Sequence, residues 1–163
     1  AQVRLIISNK KTAGVLEKAA AHQVPTLLIT RETFYKTENI LEDLKTHEID
    51  YLVLAGFLWL MPAYLVKQYP ERIVNIHPAL LPKYGGKGMY GMNVHRAVHA
   101  AKEKESGMSI HLVNEKYDDG ALLFQAKCKI DSADPPEIIA KKVLALEHQY
   151  YPEIIEQLIQ RSL

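Results

Sequence analysis

Cysteine is almost missing from this sequence, and its scarcity sets the first limits on the chemistry. Cys128 stands alone among 163 residues. One cysteine forms no intrachain disulfide and supplies no zinc site built from several thiolates. We therefore expect a protein of a reducing, cytoplasmic compartment.

An excess of charge of either sign is also missing. The chain carries 20 basic and 19 acidic residues, a formal net charge of +1, and no run of like charge. This balance gives no indication of nucleic-acid or membrane-surface binding. No apolar stretch approaches the roughly 20 residues that cross a bilayer, and residues 1–4 lack the apolar core of a signal peptide. We expect a monomer or homodimer that acts on small molecules.

Several familiar catalytic motifs are missing as well. The sequence contains no Gly-x-Ser-x-Gly, which argues against an acyl-serine intermediate. Residues 85–88 are rich in glycine but lack Walker A spacing, so they indicate a loop and not a nucleotide cradle. The seven histidines include no HExxH arrangement. His95 and His99 are one helical turn apart without an identifiable third ligand, so we predict a solvated helix face and no metal.

Short apolar runs alternate with helical patterns in the first half of the chain. With 48% hydrophobic residues, residues 1–163 are enough for one domain with a core. Thr12 and Thr37 are candidate caps for two helices. The order strand, helix, strand, helix, strand predicts a parallel sheet with right-handed crossovers. The three predicted strands are residues 3–8, 26–30 and 51–55.

The pattern changes in the second half. Residues 107–113 and 121–127 predict two strands, joined by a polar loop that ends in Asp118-Asp119-Gly120. Asp134 is a candidate cap for a long final helix, in which Pro152 is a candidate kink. We therefore predict an α/β fold with a mostly parallel central sheet, an antiparallel C-terminal strand pair and a long final helix.

Two polar residues stand where an apolar strand runs out into a loop. Residues 72–76 predict a buried strand, so Asn75 and His77 point to the same side of the sheet. Ligands of open α/β sheets bind beyond the carboxyl ends of the strands. For this pair alone, a strand cap and a packed histidine are the simpler interpretation.

The pair gains meaning together with residues 111–120, His-Leu-Val-Asn-Glu-Lys-Tyr-Asp-Asp-Gly. In this combination the chain resembles the folate-dependent formyltransferases, and the matching motifs extend from residues 8–10 to residues 146–152. Residues 54–61 resemble the pterin-binding segment of the family. Residues 86–95 resemble the branch that formylates 5'-phosphoribosylglycinamide in de novo purine biosynthesis.

The resemblance implies a Rossmann-like formyltransferase fold and a specific reaction. A formyl group would pass from the co-substrate 10-formyltetrahydrofolate to the primary amine of the ribonucleotide, without a metal. His77 would be the catalytic acid, Asn75 would donate to the oxyanion, and Asp118 would raise the pKa of His77 and relay a proton. Glu147 would bind the ribonucleotide hydroxyls. The implied folate-binding residues are Arg31, Leu58, Trp59, Leu60, Met61, Asn75, Val113, Glu115 and Tyr117.

Some assignments keep alternatives. Trp59 stands where many members have a basic residue, and an exposed salt bridge explains Arg31 or Glu147 equally well. Formyltetrahydrofolate deformylase and methionyl-tRNA formyltransferase share the Asn-x-His pair and the distal Asp. Residues 86–95 favour the ribonucleotide branch over both.

One part of the family pattern has no match. The family begins with a strand and a Gly-x-Gly-Ser/Thr-Asn loop that grips the ribonucleotide phosphate, whereas residues 1–4 align with its second strand. We expect the first βα unit, about 25 residues, to be absent from this sequence. Two hypotheses follow: an enzyme whose amino terminus is not included, or a chain that binds folate without catalysis.

Overall fold

Strands and helices alternate along the chain in the computed structural model, which describes residues 1–161. The elements are β1 (Ile6–Ser8), α1 (Gly14–Ala21), β2 (Thr26–Leu28), α2 (Arg31–Lys36), α3 (Ile40–Thr46), β3 (Leu52–Leu54), α4 (Ala63–Gln68), β4 (Ile73–His77), α5 (Met92–Ala100), β5 (Glu105–Leu112), β6 (Leu122–Lys129) and α6 (Pro136–Arg161). Within the described part of the chain, no helix is long and apolar enough to cross a membrane.

The strands form two sheets. The first contains β1 and β2 in parallel, and the second has the order β3-β4-β5-β6. The pair β3 and β4 is parallel, whereas β5 runs antiparallel to both of its neighbours. The predicted α/β fold, with its antiparallel C-terminal strand pair and long final helix, is confirmed.

Strand β4 lies at the centre of the packing. Ile73 and Val74 are each 1% exposed and belong to two different hydrophobic clusters. Because successive side chains of a strand point to opposite faces, β4 is covered on both sides. One cluster contains residues of α5, α6 and β5, and the other contains residues of α2, α3 and α4. This double burial fixes the register that delivers the end of β4 to the site.

The predicted helix caps are wrong in detail. Neither α1 nor α3 has a side-chain cap bond, so neither Thr12 nor Thr37 begins a helix. The hydroxyl of Thr37 instead donates to the carbonyl of Thr33 at the end of α2. The cap positions of α1 and α3 are instead Ala13 and Asn39, whereas α2 has a threonine cap, Thr30, which forms a reciprocal capping box with Thr33. Threonine hydroxyls have such local alternatives, which sequence spacing does not separate.

The start of the final helix also differs from the prediction. Helix α6 begins at Pro136, and the carboxylate of Asp134 pairs with Lys142 instead of capping the first turn. The helix continues through Pro152 to Arg161. A favourable ion pair thus replaces the expected cap at this end.

Tyr151 ties α6 to the sheet. Its hydroxyl donates to the carbonyl oxygens of Leu54 on β3 and Val74 on β4, at 2.8 and 3.2 Å. The neighbouring Tyr150 packs its ring against Phe124 instead, and its hydroxyl has no hydrogen-bond partner in residues 1–161. Replacing each tyrosine by phenylalanine therefore compares the loss of a bonded hydroxyl at residue 151 with the loss of an unbonded one at residue 150.

We expect Tyr151→Phe to lower the free energy of unfolding by about 1–2 kcal/mol, because it removes a buried hydroxyl from two strand carbonyls. Tyr150→Phe is the matched control and should cost less than about 0.5 kcal/mol. Urea unfolding of the three proteins at one pH measures the difference. Equal losses in the two variants would contradict the tethering role of the hydroxyl.

Candidate active site

Asn75 and His77 lie on the wall of a cavity of about 640 Å³. This volume is within the range of small-molecule sites. Six parts of the chain meet there: the segment after β3, the end of β4, the glycine-rich loop before α5, one side of α5, the segment after β5, and one side of α6. Most of the wall is apolar, and the polar groups converge at the end of β4.

The two ring nitrogens of His77 have different neighbours. The side chain is buried, and its Nε2 lies 2.7 Å from the carbonyl oxygen of Tyr84. A carbonyl only accepts, so Nε2 carries a hydrogen. Nδ1 lies 3.6 Å from Oδ1 of Asp118. A second proton on His77 would therefore sit at Nδ1, facing the carboxylate.

Asp118 lies in the loop between β5 and β6, where its φ of 52° is in the left-handed region that aspartate tolerates. Its Oδ2 accepts a hydrogen bond of 2.9 Å from the backbone N–H of Gly86. Oδ1 lies 3.6 Å from Nε2 of His111, beyond direct hydrogen-bond length. Burial acts to raise the pKa of Asp118, but His111, the charge of His77 and the Gly86 N–H together hold it below its usual value. The carboxylate is thus kept ionised.

The pKa of His77 is lowered, and burial is the main cause. Asp118 and the Tyr84 carbonyl act in the opposite direction, while His111 adds to the lowering. The upward effect of Asp118 that the sequence predicted is present, but desolvation outweighs it. An imidazolium in this position releases its proton readily.

Asn75 is oriented by a residue that sequence reasoning did not select. Asn75 of β4 pairs with His111 of β5, and its Nδ2 lies 3.1 Å from Nε2 of that histidine. The Nδ1 of His111 donates to the carbonyl of Leu112 at 2.7 Å, so Nε2 accepts from Asn75. The amide nitrogen keeps its second N–H for a ligand. The signal for His111 was its place opposite Asn75, which depends on the antiparallel register.

The structure brings most of the predicted folate residues to the cavity. Arg31 is not on the wall, but its guanidinium lies 5.1 Å from the centre of the Trp59 ring. Glu115 is exposed and is not on the wall either. The predicted residues that do line the cavity are Leu58, Trp59, Leu60, Met61, Asn75, Val113 and Tyr117.

Glu147 lines the cavity from α6. It is partly buried and makes no ion pair with any residue in 1–161, so the surface salt bridge considered from the sequence is not formed. Burial raises the pKa of its carboxyl, and the nearby His148 opposes this weakly. The carboxyl is placed to accept or share hydrogen bonds with a hydroxyl-bearing ligand.

His95 departs from the sequence prediction. It is buried and lines the cavity, whereas His99 is exposed and its Nδ1 donates to the carbonyl of Asp134. Helix α5 packs one face against the site, and residue spacing alone does not show which face that is. Burial, and then the charge of His77, lower the pKa of His95. Other wall residues that the sequence reasoning did not select include Lys87, Met89, Tyr90 and Lys116.

The arrangement supplies a buried acid, a carboxylate that balances it and an oriented amide donor. These groups suit a reaction in which negative charge develops on an oxygen and a proton moves to a leaving group. Across residues 1–161, no three or more His, Cys, Asp or Glu side chains are grouped so as to hold a metal ion.

Comparison with known proteins gives the site a context. A family model described as formyl transferase matches residues 1–155. The chloroplastic phosphoribosylglycinamide formyltransferase of Arabidopsis thaliana is 40% identical over 158 residues, which are 94% of this chain and 54% of that protein. The chain spans about half the length of this relative and of a second plant relative, from Vigna unguiculata.

Solved structures agree with the family match. A crystal structure of phosphoribosylglycinamide formyltransferase from Bacillus halodurans has a TM-score of 0.88 at 31% identity and covers 100% of this chain and 84% of that one. A formyltetrahydrofolate deformylase from Pseudomonas syringae has a TM-score of 0.84 at 20% identity, and the match covers 99% of this chain and 53% of the deformylase chain. At this identity the likeness shows a shared fold only. The chain belongs to the formyl transferase family.

Proposed function

We propose that this chain transfers a formyl group from 10-formyltetrahydrofolate to the primary amine of 5'-phosphoribosylglycinamide, a step of de novo purine biosynthesis. The observation that carries the proposal is the cluster of Asn75, His77, His111 and Asp118 at one wall of a mostly apolar cavity. The names of the relatives support the same reaction. We further propose that residues 1–163 act as one formyltransferase domain on small-molecule substrates.

The amide of Asn75 stabilises the oxyanion in this proposal. Attack of the amine on the formyl carbon moves an electron pair onto the formyl oxygen, where no charge exists in the ground state. A fixed donor aimed at that oxygen lowers the barrier, and such donors typically contribute roughly 10²–10³ in rate. His111 fixes the direction of this donor because its Nε2 accepts the other N–H of the Asn75 amide.

His77 and Asp118 move the protons. One C–N bond forms to the amine and the C–N bond to the folate nitrogen breaks, so the amine loses one proton and the leaving nitrogen gains one. The imidazolium of His77 gives its Nδ1 proton to the leaving side, and Asp118 helps to pass the amine proton back to the ring. The attack is direct and involves no covalent enzyme adduct.

The apolar wall fits the folate. Leu58, Trp59 and Met61 offer flat and aliphatic surface to a heterocycle, as expected for small-molecule sites. Arg31, stacked on Trp59, sets a cation beside that wall for an acidic part of the co-substrate. Glu147, on the α6 side of the cavity, is our candidate for the ribonucleotide hydroxyls.

We expect His77→Gln to reduce kcat for formyl transfer by roughly 10²–10⁴, because it removes the general acid. His99→Gln, on the exposed side of α5, is the matched control and should retain activity. Formation of tetrahydrofolate is followed with and without the ribonucleotide, after circular dichroism has confirmed folding.

The assay without acceptor separates the alternatives. Tetrahydrofolate formed equally well without the ribonucleotide would favour a deformylase. A folded wild-type protein that binds folate but supports neither reaction would favour a binding chain without catalysis.

Formyl transfer should also depend on pH. Because His77 acts as an acid, kcat should fall as the pH rises through the pKa of His77, which lies below the ordinary histidine value. Asp118→Asn removes an interaction that raises this pKa, so the falling limb should move to lower pH. Asp119→Asn, an exposed neighbour, should leave the limb in place. Profiles of kcat against pH measure both, and an unmoved limb in Asp118→Asn would rule out the proposed coupling.

Trp59 is the one tryptophan in the sequence and reports on the apolar wall by its fluorescence. A folate bound against the apolar wall should quench its fluorescence, and Arg31→Met should raise the Kd by roughly fivefold through loss of a cationic contact. Arg72→Met is the matched control, since Arg72 lies over the ring of Tyr51, which is not a wall residue. Fluorescence titration with a folate gives both constants. Saturable binding by equilibrium dialysis without any change in Trp59 fluorescence would place the folate elsewhere.

A further inference from the structure

The loop between β4 and α5 forms hydrogen bonds with both His77 and Asp118. Residues 79–86, which we call the anchor loop, provide the Tyr84 carbonyl that accepts from His77 and the Gly86 N–H that donates to Asp118. Any displacement of this loop therefore changes the surroundings of the imidazole and of the carboxylate together.

Two polar side chains of the sheet fasten the start of the anchor loop. The hydroxyl of Ser109 donates to the carbonyl of Ala79 at 2.6 Å and accepts from the N–H of Leu81 at 3.0 Å. The amide nitrogen of Gln125 donates to the carbonyl of Leu81 at 2.9 Å and to the Ser109 hydroxyl at 2.8 Å. The hydroxyl is fully used as one donor and two acceptors, and both N–H groups of Gln125 are bonded.

These residues form a row with His77 across three strands. His77 of β4 pairs with Ser109 of β5, and Ser109 pairs with Gln125 of β6. Paired residues project to the same face of a sheet, so the row runs directly from His77 to Ser109 and Gln125. We call these last two residues the clamp. Ser109 is 0% exposed. A buried polar row is costly unless every member is bonded, and it becomes rigid when it is.

A second route leads from the clamp to Asp118. A Cβ added at Gly85 would lie 2.5 Å from Cδ2 of Leu81 and 3.3 Å from Cβ of Asp118. Gly85 is therefore packed between the clamped leucine and the aspartate. A shift of Leu81 would therefore affect His77 and Asp118 through packing as well as through hydrogen bonds.

We propose that Ser109 and Gln125 are positioning residues that hold the anchor loop where it engages both His77 and Asp118. The catalytic side of this inference rests on the proposed function. The hydrogen bonds of the clamp are formed in the ligand-free protein, so their effect on His77 can be tested without any substrate.

The direction of the effect follows from the groups around His77. Asp118 and the Tyr84 carbonyl favour its charged form, while burial and His111 oppose it. His95 is a further titratable neighbour, and the charge of His77 lowers its pKa. Loosening the clamp weakens the two favourable interactions and leaves the burial and the neighbouring histidines.

We expect Gln125→Met to move the titration midpoint of His77 to lower pH by about one pH unit, which reduces its protonated fraction at neutral pH about tenfold. Ser109→Ala should act in the same direction, and the double variant should add little to the larger single effect. Lys127→Met, the same replacement on an exposed residue of β6, is the control. NMR titration of the His77 ring in the ligand-free proteins gives the midpoints.

The kinetic readout separates positioning from a purely structural role. In Gln125→Met, kcat for formyl transfer should fall about tenfold at neutral pH with little change in KM, and the loss should shrink at lower pH. Loss of folded protein with normal kcat and an unmoved His77 midpoint would overturn the proposal.

A measurement on the wild-type protein covers variants that do not fold. The Leu81 amide should be strongly protected from hydrogen exchange, since the clamp holds it in a buried bond; fast exchange would overturn the proposal. If the wild-type protein shows no formyl transfer, the proposed function fails. The titration midpoints of His77 in the ligand-free proteins still test the positioning role of Ser109 and Gln125.

Discussion

The burial of an imidazole beside a carboxylate at the end of β4 is the constraint on which the rest of the structure depends. Taking Asp118 out of water is costly unless its charge is compensated. The Gly86 N–H donates to the carboxylate, and His77 faces it. One of these partners lies on β4 and the other in the loop before α5, so the site exists only when sheet and loop are assembled together.

The sheet meets this requirement by burying β4 on both faces. Ile73 and Val74 each enter a separate core, which leaves the strand one register in which to lie. Asn75 and His77 then arrive at the cavity as a fixed pair. Tyr151 adds a long-range tie by joining α6 to the carbonyls of β3 and β4. Core packing and site geometry are therefore two results of the same strand placement.

The sequence predicted what depends on local pattern. The mostly apolar run at residues 72–76, with Asn75 inside it and His77 directly after it, predicted β4 and its two polar residues nearly in register. The alternation of strands and helices predicted the α/β fold. The roles of Thr12 and Thr37 were wrong because a threonine hydroxyl satisfies a turn, a helix end or a carbonyl with equal ease. His111 and the buried face of His95 depend on the strand register and on which side of α5 meets the cavity. Such tertiary relations leave little trace in spacing.

The contact between Arg31 and Trp59 has a consequence for the stability of helix α2. Arg31 begins α2, and its guanidinium lies 5.1 Å from the centre of the Trp59 ring at the cavity. Tyr35 of the same helix donates from its hydroxyl to the carbonyl of Leu60, which is also a wall residue. A molecule bound at that wall would therefore add to the contacts that hold α2 in place, and occupancy would suppress local opening of this helix.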